Sequence, residues 1–320
     1  MNTLPYLPKK ILLAKPRGFC AGVDRAIDVV KLSLQYFGPP IYVRKEIVHN
    51  FHVVEELKKL GAIFVDELDE VPDKSIVIYS AHGIAPEIHE KAKQKSLKAI
   101  DATCPLVTKV HREAIHFALE GRHIFLVGHA GHDEVIGTMG EAPDKITLVS
   151  SVEDVEKLAT TYTKTAVITQ TTLSIDDTKP IVEALKKKFP TIKFPPKEDI
   201  CYATTNRQLA VKDLADKVDM VLVIGSQNSS NSKRLSEVSI AHGAKSYLVD
   251  GIYEMDPEWL KDVKVLAITA GASAPEYLVE QSVEFFKKQG ISDIEEYTDI
   301  TEEVRFAIPE ELRNLSQASQ

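Results

Sequence analysis

The sequence predicts an α/β protein of three pseudo-repeated α/β lobes, with mainly parallel sheets around one central site. Three observations carry this. Short apolar runs such as MVLVIG alternate with segments of helical periodicity along the whole chain. The three cysteines, Cys20, Cys104 and Cys201, each end an extended stretch and open a helical one. Polar residues at the ends of the apolar runs recur at matching distances from them. His49 lies 29 residues after Cys20, His132 28 after Cys104, and Ser229 28 after Cys201. At the later strand end, His82, Thr171 and Ser273 follow their cysteines by 62, 67 and 72 residues. A gap that grows by five points to loop insertions within one topology.

The elements follow in order. After Cys20, AGVDRAIDVVKLSLQYF has apolar residues at helical spacing, at Val23, Ile27, Val30 and Leu34. IYVRKEIVHN reads as a strand ending at His49, VVEELKKLG as a helix closed by Gly61, and AIFVDEL and IVIYSAHG as strands. The helix PEIHEKAKQK and the run LKAIDAT lead to Cys104. The second pass has the helix PLVTKVHREAIHFALEG, the strand HIFLVGHAGHDE, a short glycine-interrupted helix, ITLVSS, DVEKLA, TAVITQTT and DDTKPIVEALKKKF. The third has YATTNRQLAVKDLADKV, MVLVIGSQNSSNS, SKRLSEVSIAHG, AKSYLVD, VLAITAGAS and APEYLVEQSVEFFKKQG. The acidic tail holds one expected strand, EVRFAI, and SQASQ is expected to fray. The lobes are expected at residues 1–103, 104–200 and 201–290, with a tail at 291–320.

Composition narrows the function. With 320 residues, 44% of them hydrophobic, the chain can bury two or three cores. A net charge of −8, with Lys and Arg spread among Asp and Glu, argues against a nucleic-acid binder. No apolar run approaches the 18 or so residues of a membrane span, and the N-terminus has no signal-peptide core. Three widely spaced cysteines do not make a disulfide framework, which places the protein in a reducing compartment such as the cytoplasm.

A lone cysteine is usually a small core hydrophobe. Three at equivalent points of a repeat, each at a helix start that favours thiolate, point to a metal. A zinc site normally carries a local C-x-x-C pair, which is absent here. A [4Fe–4S] cluster on three cysteines would leave one iron open to a substrate oxygen. Spacing alone leaves both metals open. In parallel sheets ligands bind beyond the carboxyl ends of the strands, where His49, His82, His132, Thr171, Ser229 and Ser273 stand. Imidazoles can donate to phosphate oxygens, and Glu134, two residues after His132, could supply protons. SQNSSNS precedes a helix, with Ser232 or Asn231 as the expected cap. Such a start with several hydroxyls suits an anion. No Walker-type G-x-x-x-x-G-K-[ST] loop or dinucleotide fingerprint occurs.

PRGFCAGVDRA, the HN at 49–50, SAHG, DATCPLVTKVH, GHAGHDEVIGTMG, TQTTLS, DICYATTNRQ, GSQNSSNS and TAGASAP appear in order between about Leu12 and Gly290. Together they closely resemble the LytB/IspH family of 4-hydroxy-3-methylbut-2-enyl diphosphate reductases, with no departure at a motif position. The resemblance implies reductive loss of a hydroxyl from an allylic diphosphate, giving isopentenyl and dimethylallyl diphosphate. It implies one [4Fe–4S] cluster on Cys20, Cys104 and Cys201, with electrons from a flavodoxin or ferredoxin. It assigns diphosphate binding to His49, His82, His132, Ser229, Ser230, Asn231 and Ser273. It places the substrate alcohol near Glu134 and Thr171, with Glu134 relaying a proton, helped by His132. A redox-reporting metabolite sensor and a zinc hydrolase with Glu134 as base are the competing readings. Product formation with a chemical reductant separates the first from an enzyme, and iron analysis the second.

Overall fold

The structure, a computed structural model, describes residues 4–298 and 300–318. Strand β1 (Lys10–Lys15) leads to Cys20, where α1 (Ala21–Phe37) begins. β2 (Ile41–Arg44), α2 (Phe51–Lys59), β3 (Ala62–Val65), β4 (Ile76–Tyr79), α3 (Pro86–Gln94) and β5 (Lys98–Asp101) lead to Cys104. Next come α4 (Pro105–Leu119), β6 (His123–Val127), α5 (Asp133–Gly140), β7 (Ile146–Val149), α6 (Val152–Lys157), β8 (Thr165–Thr169) and α7 (Ile175–Lys188), ahead of Cys201. α8 (Tyr202–Ala215), β9 (Met220–Ile224), α9 (Ser230–Ala241), β10 (Lys245–Val249), β11 (Val265–Ala270) and α10 (Glu276–Lys288) form the third pass. β12 (Ile294–Thr298) and α11 (Glu310–Ala318) close the chain.

Two expectations fail locally. β2 stops at Arg44 rather than His49, because Lys45 takes a left-handed φ of 59° that ends the extended run. The tail strand is IEEYT, not EVRFAI, and residues 301–309 have no regular structure. IEEYT finds a ladder beside β1, whereas EVRFAI finds none. SQASQ continues α11 as far as Ala318, and its last two residues lie outside the described ones.

Among the described residues the strands form three sheets, with every pair parallel: β10-β9-β11-β1-β12, β3-β2-β4-β5 and β7-β6-β8. Each places its second strand outside the first and its third on the first strand's other side. The segment before a cysteine comes next. It is β5 beside β4 for Cys104 and β1 beside β11 for Cys20. Before Cys201 only a single bridge, Lys193 to Ala166 of β8, holds this place.

The repeat is therefore real but permuted. β1 belongs with the strands of residues 220–270, not with those of the first hundred residues. There β11 and β12 pair with both edges of β1, while Ile11 and Leu13 pack on one face with Phe286 and Leu12 and Ala14 on the other with Leu214 and Leu235. The chain accordingly divides into two compact units. Unit 1 is Met1–Ala21, His49–Glu55 and Tyr202–Val304; unit 2 is Gly22–Val48, Glu56–Cys201 and Arg305–Gln320.

Alternation along the strands splits each core in two. In unit 1, Ile11, Leu13, Leu222 and Ile268 pack on one face of the sheet with Phe286 of α10. Leu12, Val221, Val223 and Ala267 pack on the other with Leu214 of α8 and Leu235 of α9. In unit 2, Phe125, Val127 and Val167 face Leu185 of α7, while Ile124, Leu126 and Ile168 face Val110 and Phe117 of α4. Among the described residues no helix is long and apolar enough to cross a membrane.

Candidate functional site

A strand order that reverses between its first and third strands opens a crevice beyond their carboxyl ends. In the three sheets these strands are β2 and β4, β6 and β8, and β9 and β11. The six strand-end residues follow these strands: His49 and His82, His132 and Thr171, Ser229 and Ser273.

Each cysteine is docked in the same way. The Cys104 amide donates to the Ala81 carbonyl at 3.0 Å, that of Cys201 to Thr171 at 3.0 Å, and that of Cys20 to Ala272 at 3.2 Å. In every case the acceptor lies in the loop after the third strand, at or beside the polar strand-end residue. Each thiol stands immediately before a helix, Cys104 as the N-cap of α4 with Pro105 in its first turn. All three are half-buried, and none is in a disulfide.

Unit 2 gathers Cys104, Cys201, His82, His132, Glu134 and Thr171. Glu134, 2% exposed, takes both of its hydrogen bonds from Thr171, the amide at 2.6 Å and the hydroxyl at 3.0 Å. Burial pushes its carboxyl up to about 7, the two Thr171 bonds pull it down, and the charge of Asp199 adds to the rise. The His132 Nδ1 accepts the Glu134 amide at 3.2 Å and caps α5, so the neutral ring carries its proton on Nε2. His82 meets His132 edge to face, with ring centroids 5.9 Å apart, and its Nδ1 lies 3.3 Å from the Ser80 hydroxyl.

Unit 1 gathers Cys20, His49, Ser229, Ser230, Asn231 and Ser273. Ser229, rather than Asn231 or Ser232, caps α9, accepting the Ser232 amide at 3.3 Å. The Ser273 hydroxyl donates to the His49 carbonyl at 2.9 Å and lies 3.4 Å from the Ser229 hydroxyl. Asn231 accepts the Ala272 amide at 2.8 Å and donates to Thr204 at 3.3 Å, tying the start of α9 to the loop that docks Cys20. Gly271 in that loop has to be glycine, because a Cβ there would overlap the Ser232 side chain. The result is a set of neutral hydroxyl and amide groups at the N-terminus of a 12-residue helix, which suits an anion.

Four supporting residues escaped the sequence reading. Gln170, 1% exposed, accepts the His129 amide at 3.1 Å and donates to Thr172 at 3.0 Å, joining the loops after β6 and β8. Asp199 accepts the Thr169 amide at 2.9 Å and pairs with Lys109 at 2.6 Å. Arg207, 1% exposed, holds the Gly18 carbonyl at 2.8 Å and Glu302 at 3.1 Å. Arg207 lies inside the NRQ motif and Gln170 inside TQTTLS, but nothing in the motifs told a backbone-gripping side chain from a ligand-facing one.

Comparison with known proteins agrees with this geometry. Residues 11–287 match the family described as LytB protein. A protein of Acidothermus cellulolyticus named 4-hydroxy-3-methylbut-2-enyl diphosphate reductase is 54% identical over 98% of this chain and 93% of its own length. One of the same name from Actinobacillus pleuropneumoniae serotype 7 is 54% identical over 95% of this chain and 98% of its own length. The solved E-1-hydroxy-2-methyl-but-2-enyl-4-diphosphate reductase of Plasmodium falciparum superposes with a TM-score of 0.94 at 42% identity, covering 98% of this chain and 99% of that one. The three docked cysteines, the strand-end residues and these similarities agree: the chain belongs to the LytB family.

Proposed function

We propose that this chain is an iron–sulfur 4-hydroxy-3-methylbut-2-enyl diphosphate reductase. It converts (E)-4-hydroxy-3-methylbut-2-enyl diphosphate to isopentenyl and dimethylallyl diphosphate, the last step of the non-mevalonate isoprenoid pathway. The hydroxyl leaves as water, and the balance takes two electrons and two protons. The relatives' names carry the substrate, and the Glu134–Thr171 pair is the single structural observation that carries the chemistry. A buried carboxyl held near pH 7 is matched to protonating a departing hydroxyl.

The donor set fits a [4Fe–4S] cluster. Cys20, Cys104 and Cys201 are half-buried thiols at helix starts, where N-terminal amides favour thiolate. They are the ligands we assign, leaving one iron without a protein thiolate. When bound, the cluster supplies electrons and a Lewis-acid iron for the substrate hydroxyl. The chain's own residues do the rest. Thr171 orients Glu134, which gives up its proton as the hydroxyl leaves. His132, with Nε2–H as donor, assists on the same side, and His82 and His49 donate to phosphate oxygens. Ser229, Ser230, Asn231 and Ser273 bind the diphosphate without burying lysines. A flavodoxin or ferredoxin supplies the electrons one at a time.

The test is anaerobic turnover of the allylic diphosphate with dithionite as reductant, together with iron and sulfide analysis. The expected outcome is a brown protein that forms both products. A colourless protein holding stoichiometric zinc, or a brown one that forms neither product, overturns the reading.

A further inference from the structure

Beyond the ligands, each repeat carries one cation with the same task. Arg25 follows Cys20 by five residues, Lys109 follows Cys104 by five, and Arg207 follows Cys201 by six. Each therefore sits on the second turn of the helix that its cysteine opens. None reaches back to the segment before its own cysteine. Arg25 donates to the carbonyls of Thr103 at 3.0 Å and Asp101 at 3.4 Å, just ahead of Cys104. Lys109 donates to the carbonyls of Lys197 at 2.9 Å and Glu198 at 3.1 Å and to the Asp199 carboxylate at 2.6 Å, just ahead of Cys201. Arg207 donates to the carbonyls of Gly18 at 2.8 Å and Phe19 at 3.3 Å, just ahead of Cys20.

We propose that Arg25, Lys109 and Arg207 are positioning residues in a cyclic relay, in which the helix opened by one cysteine fixes the backbone that presents the next. The order is Cys20 to Cys104, Cys104 to Cys201, and Cys201 back to Cys20. The proposal rests on the cluster assignment above but concerns residues to which the family resemblance gives no role.

The chemistry of the grip supports it. The segment ahead of each cysteine offers backbone carbonyls to the cation that grips it. Bonds from a charged donor to its carbonyls are the stronger kind, and a fork can take two at once. The grip also orients each Cys amide, which docks on Ala81, Thr171 or Ala272. Burial lowers the Arg25 pKa, and the nearby charges of Asp101 and Cys104 oppose that shift. The charges facing the three differ. Lys109 meets Glu113 as well as Asp199, Arg207 meets Glu302, and Arg25 makes its third bond to the Ala307 carbonyl at 2.8 Å. Asp199 passes the Lys109 grip on to β8 through the Thr169 amide, two residues before Thr171.

The relay makes a directional prediction that ordinary packing does not. Amide hydrogen exchange is followed at the three cysteine amides in wild type and in Arg25→Met, Lys109→Met and Arg207→Met, on both apo and anaerobically reconstituted protein. Arg25→Met is expected to speed exchange at Cys104 about tenfold or more, with Cys20 and Cys201 unchanged. Lys109→Met loosens Cys201, and Arg207→Met loosens Cys20. In reconstituted protein each Met variant loses iron to a chelator faster than wild type. Its midpoint potential falls, because a positive charge that favoured the reduced cluster is gone. Arg25→Lys and Lys109→Arg keep the charge and hold the potential near that of wild type. Should Arg207→Met not fold, Arg207→Lys tests the same link, with intermediate exchange at Cys20.

Wild-type exchange at the next cysteine, or loosening of a variant's own cysteine instead, overturns the relay. Should wild-type protein bind no iron, the cofactor assignment fails, and the apo exchange pattern still decides the relay.

Discussion

The crevice between β9 and β11 in unit 1 and the one between β6 and β8 in unit 2 have the same strand order and opposite chemistry. In unit 1 the strand-end partners are Ser229 and Ser273, two hydroxyls that do not titrate in the working range. In unit 2 the strand-end residue Thr171 holds Glu134, a carboxyl poised near 7 on its hydroxyl and amide. Both crevices adjoin a docked cysteine and the start of a helix. The scaffold fixes where a side chain stands, and the residue placed there decides whether the crevice holds charge or moves a proton.

The contrast should vanish at the thiols. Cys20→Ser in unit 1 and Cys104→Ser in unit 2 are both expected to abolish nearly all turnover and most bound iron, read by activity and iron analysis. A thiol whose loss leaves turnover intact is not a ligand.

The contrast should be sharpest at Glu134. Glu134→Gln removes the acid while its amide oxygen still accepts the Thr171 N–H and its NH2 donates to the Thr171 hydroxyl, so kcat should fall about 10²–10⁴-fold with KM little changed. Equal kcat in steady-state assays would break the assignment. In unit 1 the balance should reverse: Ser273→Ala is expected to raise KM about tenfold with a smaller change in kcat. The variant loses roughly 1 kcal/mol of stability with its bond to the His49 carbonyl, read by urea unfolding.

pH separates the two crevices more finely. Glu134 is competent as a donor only while protonated, so kcat should fall about tenfold per unit above pH 7. A pH profile that stays flat through pH 8.5 contradicts this. The same raised carboxyl bears on stability. Between its ordinary value near 4.5 and about 7, the unfolded chain ionises while the folded one keeps the proton, so stability is lost as pH rises across that window. The loss amounts to about 3 kcal/mol. Glu134→Gln should therefore gain on wild type from pH 4.5 to 7 and hold the gain above, in paired urea melts. Ser273→Ala should show no such trend.

The sequence held most of the scaffold in plain view. The offsets of 29, 28 and 28 exposed the repeat, and every predicted strand-end residue does follow a strand that flanks a crevice. The permutation was hidden, because KILLAK reads the same whether it pairs with β2 or β11. The tail was hidden for a related reason. Two of the five residues of IEEYT are acidic, and it pairs with β1 where Lys10, Lys15 and Arg17 lie opposite Glu295 and Glu296. Of the site residues, those with reactive side chains stood out. Arg25, Lys109 and Arg207 did not, though a cation five or six places after each cysteine was visible from the start. Their partners are backbone carbonyls, which leave no trace in a sequence.

The pairing of β1 with β11 has a consequence for biosynthesis. A ribosome releases Cys20 early, but the carbonyl of Ala272 that seats it, and the strand of Val265–Ala270 beside it, emerge some 250 residues later. At ordinary elongation rates that delay is roughly 10–50 s. Over that interval Cys104 and Cys201 can reach their own docking loops, while the earliest thiol made is the last to be seated. Metal loading that requires all three must therefore wait until β11 and the loop after it have been made, and a nascent chain stalled before β11 presents two thiols and a loose third.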